Sequence, residues 1–235
     1  MFIFIYHYVV LILFKRIDKM SIHQPKRQFL KDRAYEMIKK LLMNGELSPG
    51  EFVKEGDLSE QLEMSRTPIR SALQRLEHDG LVRIHPKQGI YICDISVKQV
   101  NEVYEIRIAL ETFALRKLSH SIEKPQLEEL YDILNKQYEY IKNEDSYSAL
   151  EYDMRFHLRI MEFNKNEQML EMFKSIREKL KFYGKEVLKK KIDRLKQTYD
   201  EHVLIVEALE KGNTEEVVRN IEEHLQYGRK TLLDP

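Results

Sequence analysis

Apolar residues return at intervals of three and four through most of this chain, and that spacing lays out its elements before any single motif is considered. Phe29, Leu30, Ala34, Met37, Ile38, Leu41 and Leu42 form such a stripe, which predicts one amphipathic helix over residues 26–42, stopped by Asn44-Gly45. Leu58 and Leu62, then Ile69, Leu73 and Leu76, predict two shorter helices joined by a tight turn within residues 55–81. Ser65 or Thr67 is expected to cap the second of them, Pro68 suits its first turn, and Asp79-Gly80 ends it. The pattern then turns β-rich. Leu81-Val82-Arg83-Ile84 and Gly89-Ile90-Tyr91-Ile92 flank His85-Pro86-Lys87-Gln88 and read as a hairpin, with Phe52-Val53 as a short extended piece before the helices. Three helices and a hairpin make a winged helix-turn-helix.

Past a linker at residues 93–96 the helical period takes over entirely. Val100, Val103, Ile106, Ile108, Leu110 and Leu115 mark a helix over 97–118, and Pro125 opens another that runs to about 141. Residues 146–163, 167 to about 190, 193–211 and 214–233 complete the set, broken by Asn164-Lys165-Asn166 and by Gly212-Asn213. Long helices with short joints predict an all-α bundle. The fold class is therefore mainly α: a winged helix-turn-helix over 20–93 and an all-α domain over 97–233. The first stretch, MFIFIYHYVVLILF, is apolar and followed by Lys15 and Arg16. It falls short of the roughly 20 residues a membrane span requires, and it lacks the flanks of a signal peptide. Residues 1–19 are read as an upstream segment before a start at Met20, with a short membrane-associated anchor as the alternative.

Charge adds little at the scale of the whole chain, since 39 Lys+Arg balance 39 Asp+Glu. Any affinity for nucleic acid must come from local placement. The lone cysteine, Cys93, excludes an internal disulfide and suits a reducing compartment, so the cytoplasm is expected. Locally the charges are well placed: Arg66 and Arg70 project from the start of the second short helix, where a recognition helix meets DNA, and Lys87 and Gln88 sit at the hairpin tip.

The motifs of residues 34–92 resemble the N-terminal domain of the GntR family of bacterial transcription regulators. They are the Gly-x-Leu-x-Pro-Gly turn from Gly45 to Gly50, Leu58-Ser59, Ser65-Arg66-Thr67-Pro68 with Arg70, Leu76-Glu77, Asp79-Gly80-Leu81 and Gly89. The resemblance implies that Arg66, Thr67 and Arg70 contact bases and phosphates in the major groove of a double-stranded operator, and that the wing near Gln88 and Gly89 reaches the minor groove. One position departs from the pattern: Gly56 stands where some members carry an arginine. A recognition helix covers one half-site, so a homodimer on a pseudo-palindromic operator is expected.

In the bundle, Asp153 precedes His157 by one helical turn and shares its face. His202 and His224 lie on consecutive helices joined only by Gly212-Asn213, each about 16 Å from that joint at 1.5 Å per residue, and so level with one another. Taken singly, each histidine is more often a core or surface residue; together, residues of this kind on several helices build metal sites inside bundles. The order Asp153-x3-His157, Asn166, Glu201-His202 and Glu223-His224-Leu225 is similar to the FadR-like ligand-sensing domain called FCD, with Arg107 and Glu111 matching its opening helix. That resemblance implies that Asp153, His157, His202 and His224 hold a divalent ion. Imidazole and carboxylate ligands suit Zn, Ni, Mn or Fe. A small carboxylate effector would fill open positions on the ion, with Arg107 at its other end.

The alternative function is a metal-dependent hydrolase using the same site. Adjacent helical residues point about 100° apart, so Glu201 and Glu223 are expected to face solvent, which leaves that alternative without a general base. Lys189-Lys190-Lys191 with Lys185 read as a solvated helix end, and Met161, Met169 and Met172 as core filler. His78 and His85 carry no indicated role.

Overall fold

The computed structural model describes residues 24–190 and 193–234. The upstream segment 1–19, Met20 and the side chains of Lys189, Lys190 and Lys191 lie outside the described residues, as do the expectations attached to them. The described chain divides into two compact units between Cys93 and Asp94.

The first unit runs α1 (Gln24–Asn44), β1 (Phe52–Val53), α2 (Glu55–Gln61), α3 (Arg66–His78), β2 (Val82–His85) and β3 (Gly89–Ile92). Its core is Ala34, Tyr35, Ile38 and Leu42 of α1 against Leu58 of α2 and Ile69, Leu73 and Leu76 of α3. Phe29, a member of the predicted stripe, is instead 63% exposed. At 100° per residue it stands about 140° round the helix from Ala34, away from the buried face. The Tyr35 hydroxyl donates to Asp79 at 2.7 Å and Arg75 stacks over the Tyr35 ring at 3.8 Å, which ties α1 to the end of α3. Gly80 takes φ 74° there, as the cap requires. At the other end of α3 the expected cap is missing: Ser65 occupies the N-cap position with extended backbone but makes no side-chain cap bond.

The wing is three-stranded, in the order β1-β3-β2, both pairings antiparallel. Phe52-Val53 is extended as its sequence suggests, and it pairs with Tyr91 and Ile90. That pairing explains Gly89. Its φ is 112°, and a Cβ there would stand 2.6 Å from the Val53 carbonyl oxygen. Gly89→Ala is expected to lower stability by roughly 1–3 kcal/mol, read as a shifted urea midpoint in circular dichroism of the full chain. An unchanged midpoint would remove this structural account of the glycine.

The second unit is a helical bundle: α4 (Val97–Leu118), α5 (Lys124–Lys142), α6 (Ser146–Phe163), α7 (Glu167–Lys190), α8 (Arg194–Glu210) and α9 (Thr214–Leu233). Ser96, Asp145 and Asn213 cap α4, α6 and α9, each accepting from a backbone N–H of the first turn. Asn166 does the same for α7 through Met169 N–H at 3.2 Å. Leu115, Leu130, Phe156, Ile160, Phe173, Ile205, Val217 and Ile221 fill the interior. Met161 is core as expected, whereas Met172 is 52% exposed and Lys185, expected at a solvated helix end, is buried. Ile106 also leaves the stripe assigned to it and faces outward.

Candidate metal centre and nucleic-acid interface

Three helices of the bundle deliver the candidate ligands to its interior. α6 contributes Asp153 and His157 one turn apart, α8 contributes His202, and α9 contributes His224. Gly212, at φ 65°, turns the chain from α8 into α9 so that the two histidines come level. The Nε2 atom of His202 stands 3.2 Å from Nε2 of His157 and 3.4 Å from Nε2 of His224. The coordinating atoms of these three histidines all lie within 4.8 Å of one another. Asp153 stands at the edge of this group, with Oδ1 3.8 Å from His202 Nε2.

The backs of two rings are held by carboxylates. His157 Nδ1 meets Glu111 Oε2 of α4 at 2.6 Å, and Arg107 Nε donates to the other oxygen of Glu111 at 2.6 Å. His224 Nδ1 meets Glu201 Oε2 at 2.6 Å, and Glu201 is forked by Arg194 at 2.6 and 2.7 Å. A carboxylate acceptor keeps the proton on Nδ1, which leaves the Nε2 lone pair of each ring facing the centre. His202 Nδ1 is buried with no partner among the described residues, and its ring stacks on Phe156 at 4.2 Å between centroids.

Burial and neighbouring charge set the protonation states. Burial, with help from Arg107 and the other imidazoles, holds His157 and His202 well below the usual histidine range, so both are neutral. Burial also lowers His224, against the hydrogen bond to Glu201. Asp153 is pushed up to about 6 by burial, opposed by Arg107 and Arg194. Burial would raise Glu201 too, but its bonds to His224 and Arg194 bring it down to about 2. Glu201 is thus a permanent carboxylate behind His224, which corrects the expectation that it faces solvent. The 100° step from His202 turns Glu201 away from the histidine cluster's centre and onto the outer nitrogen of His224 on the next helix. Glu223, by contrast, is exposed.

Neutral imidazoles with their lone pairs gathered on one point, with a carboxylate at the edge, could hold a divalent ion of the Zn, Ni, Mn or Fe type. A cavity of about 50 Å³ opens beside them, lined among others by Tyr104, Arg107, Asp153, Arg194, Thr198 and His224. Arg107 Nη2 is buried there without a hydrogen-bond partner among the described residues. Sequence reading misses Arg194 and Tyr104. Arg194 precedes Glu201 by two helical turns on one face of α8, and that i, i+7 pairing is the available signal.

The residues expected to meet DNA sit on the surface of the first unit. Arg66, Thr67 and Arg70 are exposed on the first turns of α3, and Gln88 is exposed at the wing, where Lys87 takes φ 70°. Arg70 is engaged: its Nε and Nη2 fork onto Glu55 of α2 at 3.1 and 2.9 Å. Gly56 leaves open space, the nearest atom to a Cβ there being Arg66 Nη2 at 4.0 Å. Gly89, expected to touch the minor groove, is half-buried in the sheet, so its identity already has a structural reason.

Residues 30–92 match the profile of the gntR family of bacterial regulatory proteins, and residues 102–227 match that of the FCD domain. A protein of Bacillus subtilis (strain 168) described as an uncharacterized HTH-type transcriptional regulator, YdhC, is 28% identical over 214 residues, spanning 90% of this chain and 93% of its own length. The gluconate operon transcriptional repressor of the same organism is 26% identical over 180 residues, covering 75% and 73% of the two chains. Among solved structures, E. coli McbR/YncC shares the fold with a TM-score of 0.72 at 24% identity, over 86% of this chain and 96% of its own.

Proposed function

The chain belongs to the GntR family of bacterial regulatory proteins and carries the FCD domain, and from that premise we propose a ligand-responsive regulator acting in the cytoplasm. It binds a pseudo-palindromic operator as a homodimer through Arg66, Thr67, Arg70 and the wing at Gln88 and Gly89. Its affinity is set by a small organic acid that binds with a divalent ion at Asp153, His157, His202 and His224. The observation that carries this reading is the convergence of three buried imidazole nitrogens whose outer nitrogens include two held by glutamates. When bound, the ion supplies a positive centre with positions open to an oxygen ligand. The protein's own residues do the rest. Glu111 and Glu201 hold two rings in the ligating tautomer, and Arg107 offers a buried donor to the far end of a carboxylate.

The narrow cavity favours a short acid, and one relative is named for the operon of gluconate, itself a carboxylate. A hydrolase would need a free base beside the ion, and Glu201 is committed to His224 and Arg194. No helix among the described residues is long and apolar enough to cross a membrane. The decisive experiment is a gel shift on DNA flanking the gene, using metal-stripped and metal-loaded protein with and without a panel of short hydroxy acids. An acid should change operator affinity by about 5- to 150-fold, and only in loaded protein. Equal affinity in all four conditions would defeat the sensing role while leaving the DNA-binding role intact.

A further inference from the structure

Gln137 of α5 is 0% exposed, and neither the oxygen nor the nitrogen of its amide has a hydrogen-bond partner among the described residues. Such a residue is a poor choice for packing alone. A buried amide left unsatisfied destabilises the fold, and an apolar side chain of the same volume would fill the space without that cost.

The neighbours of Gln137 along α5 show where its side chain projects. Tyr138 stacks on Tyr199 of α8 at 4.8 Å between centroids, and the Tyr131 hydroxyl donates to Glu210 of the same helix. On the other flank Glu129 accepts from Arg159 of α6, and Tyr140 lies 5.3 Å from Tyr152 between centroids. At 100° per residue, Tyr131 and Tyr138 stand about 100–120° round the helix from Gln137 in one sense, and Glu129 and Tyr140 about 60–80° in the other. Gln137 therefore points between α6 and α8, into the bundle. The pairings of 131 with 210 and 138 with 199 also fix its height: α5 and α8 run antiparallel, and position 137 comes level with position 202 to within about one helical turn.

At that height on α8 stands another orphaned group, the Nδ1 atom of His202. The ring is 0% exposed and turns its Nε2 toward His157 and His224. Those two rings have glutamates at their outer nitrogens, Glu111 behind His157 and Glu201 behind His224. His202 lacks the equivalent.

We propose that Gln137 is the outer partner of His202, a positioning residue whose amide oxygen accepts the Nδ1 proton and so leaves Nε2 bare for an ion. The proposal rests on the metal reading given above. The terminal amide turns about a broad torsion, so a small rotation presents its oxygen to the ring. Only that end serves. The amide nitrogen would donate to Nδ1 and hold the imidazole proton on Nε2, facing the cluster. An amide also completes the set of outer partners without a third buried negative charge behind the rings.

Nitrogen-15 NMR of the metal-stripped full chain reads the tautomer of each buried imidazole, with the His202 signals assigned by their loss in His202→Ala. Wild-type His202 should carry its proton on Nδ1. Gln137→Met keeps the volume and removes the acceptor, so it should shift His202 toward the Nε2–H tautomer while His157 and His224 stay as they are. The same variant should bind zinc about 10- to 100-fold more weakly in isothermal titration, the loss that follows removal of an outer partner. Gln137→Glu restores an acceptor of the same shape and should recover both the tautomer and the affinity. A Gln137→Met protein with wild-type His202 tautomer and wild-type zinc affinity would make Gln137 a packing residue and overturn the proposal, as would a wild-type His202 protonated on Nε2. If the wild type bound no divalent ion, the metal reading would fall by itself, and the tautomer comparison, made without metal, would still decide whether Gln137 holds His202.

Discussion

Replacing His202 with alanine is expected to abolish measurable binding of a divalent ion in isothermal titration of metal-stripped protein. His202 is the middle residue of the histidine cluster. Its Nε2 lies within 3.4 Å of Nε2 on both other histidines, and its ring is fully buried. Without it only His157 and His224 remain, their rings 5.3 Å apart between centroids, and no other imidazole or thiol among the described residues is grouped with them. The loss should exceed the roughly 10- to 100-fold that follows removal of an outer partner of a ligand, and that difference gives the experiment its internal scale. Glu201→Gln keeps all three histidines but withdraws the carboxylate from His224, so it should fall within that range, and Asp153→Asn tests the fourth ligand in the same titration.

A second readout separates loss of the ion from loss of the fold. An ion at 100 times its dissociation constant stabilises the native state by about 2.7 kcal/mol, so it should raise the melting temperature of the wild type. His202→Ala should melt lower than wild type in chelator, because the stacking on Phe156 is gone and a cavity remains. Added metal should not raise that melting temperature. If His202→Ala bound the ion like wild type, the centre would be a buried histidine cluster and no ligand set.

The convergence of the three rings was legible because helices are rulers. A one-turn step puts Asp153 and His157 on one face, and equal distances from Gly212-Asn213 bring His202 and His224 level. What stood behind the rings was not legible. The angle between Glu201 and its neighbour His202 points the carboxylate to solvent, yet the ring it serves belongs to His224 on the next helix. Such a contact depends on the rotation of α8 against α9, which spacing along either one leaves open. The same limit hid the pairing of β1 with β3, since two extended residues do not announce their partner. It also placed Phe29, Met172 and Ile106 in cores they do not join: apolar residues at helical spacing mark a stripe, and only packing decides which edge of the stripe is covered.

Arg70→Ala is expected to weaken operator binding by roughly 5- to 150-fold, the span that removing one bidentate base interaction covers. The structure sharpens why an arginine is needed and which control matters. In the free protein the Arg70 guanidinium is already forked on Glu55, so its plane is aimed before DNA arrives. Glu55 pairs with it and raises its pKa further, so the charge is permanent. Lysine cannot make that fork, and Arg70→Lys should therefore bind nearly as weakly as alanine although the charge is kept. Glu55→Gln should do the opposite: it removes an anion near the phosphates and releases Arg70, so affinity for unrelated DNA should rise while the preference for the operator falls. The salt dependence of binding divides the roles. Truncating an arginine that holds a phosphate lowers the slope of log affinity against log salt by about one and weakens all sequences alike, whereas truncating one that reads a base relaxes discrimination at one base pair. Arg66, one turn earlier beside the open space at Gly56, forms no ion pair with an acidic side chain among the described residues, so the phosphate signature is expected there and the base signature at Arg70. Wild-type operator affinity in Arg70→Ala would show that α3 does not enter the groove by this face.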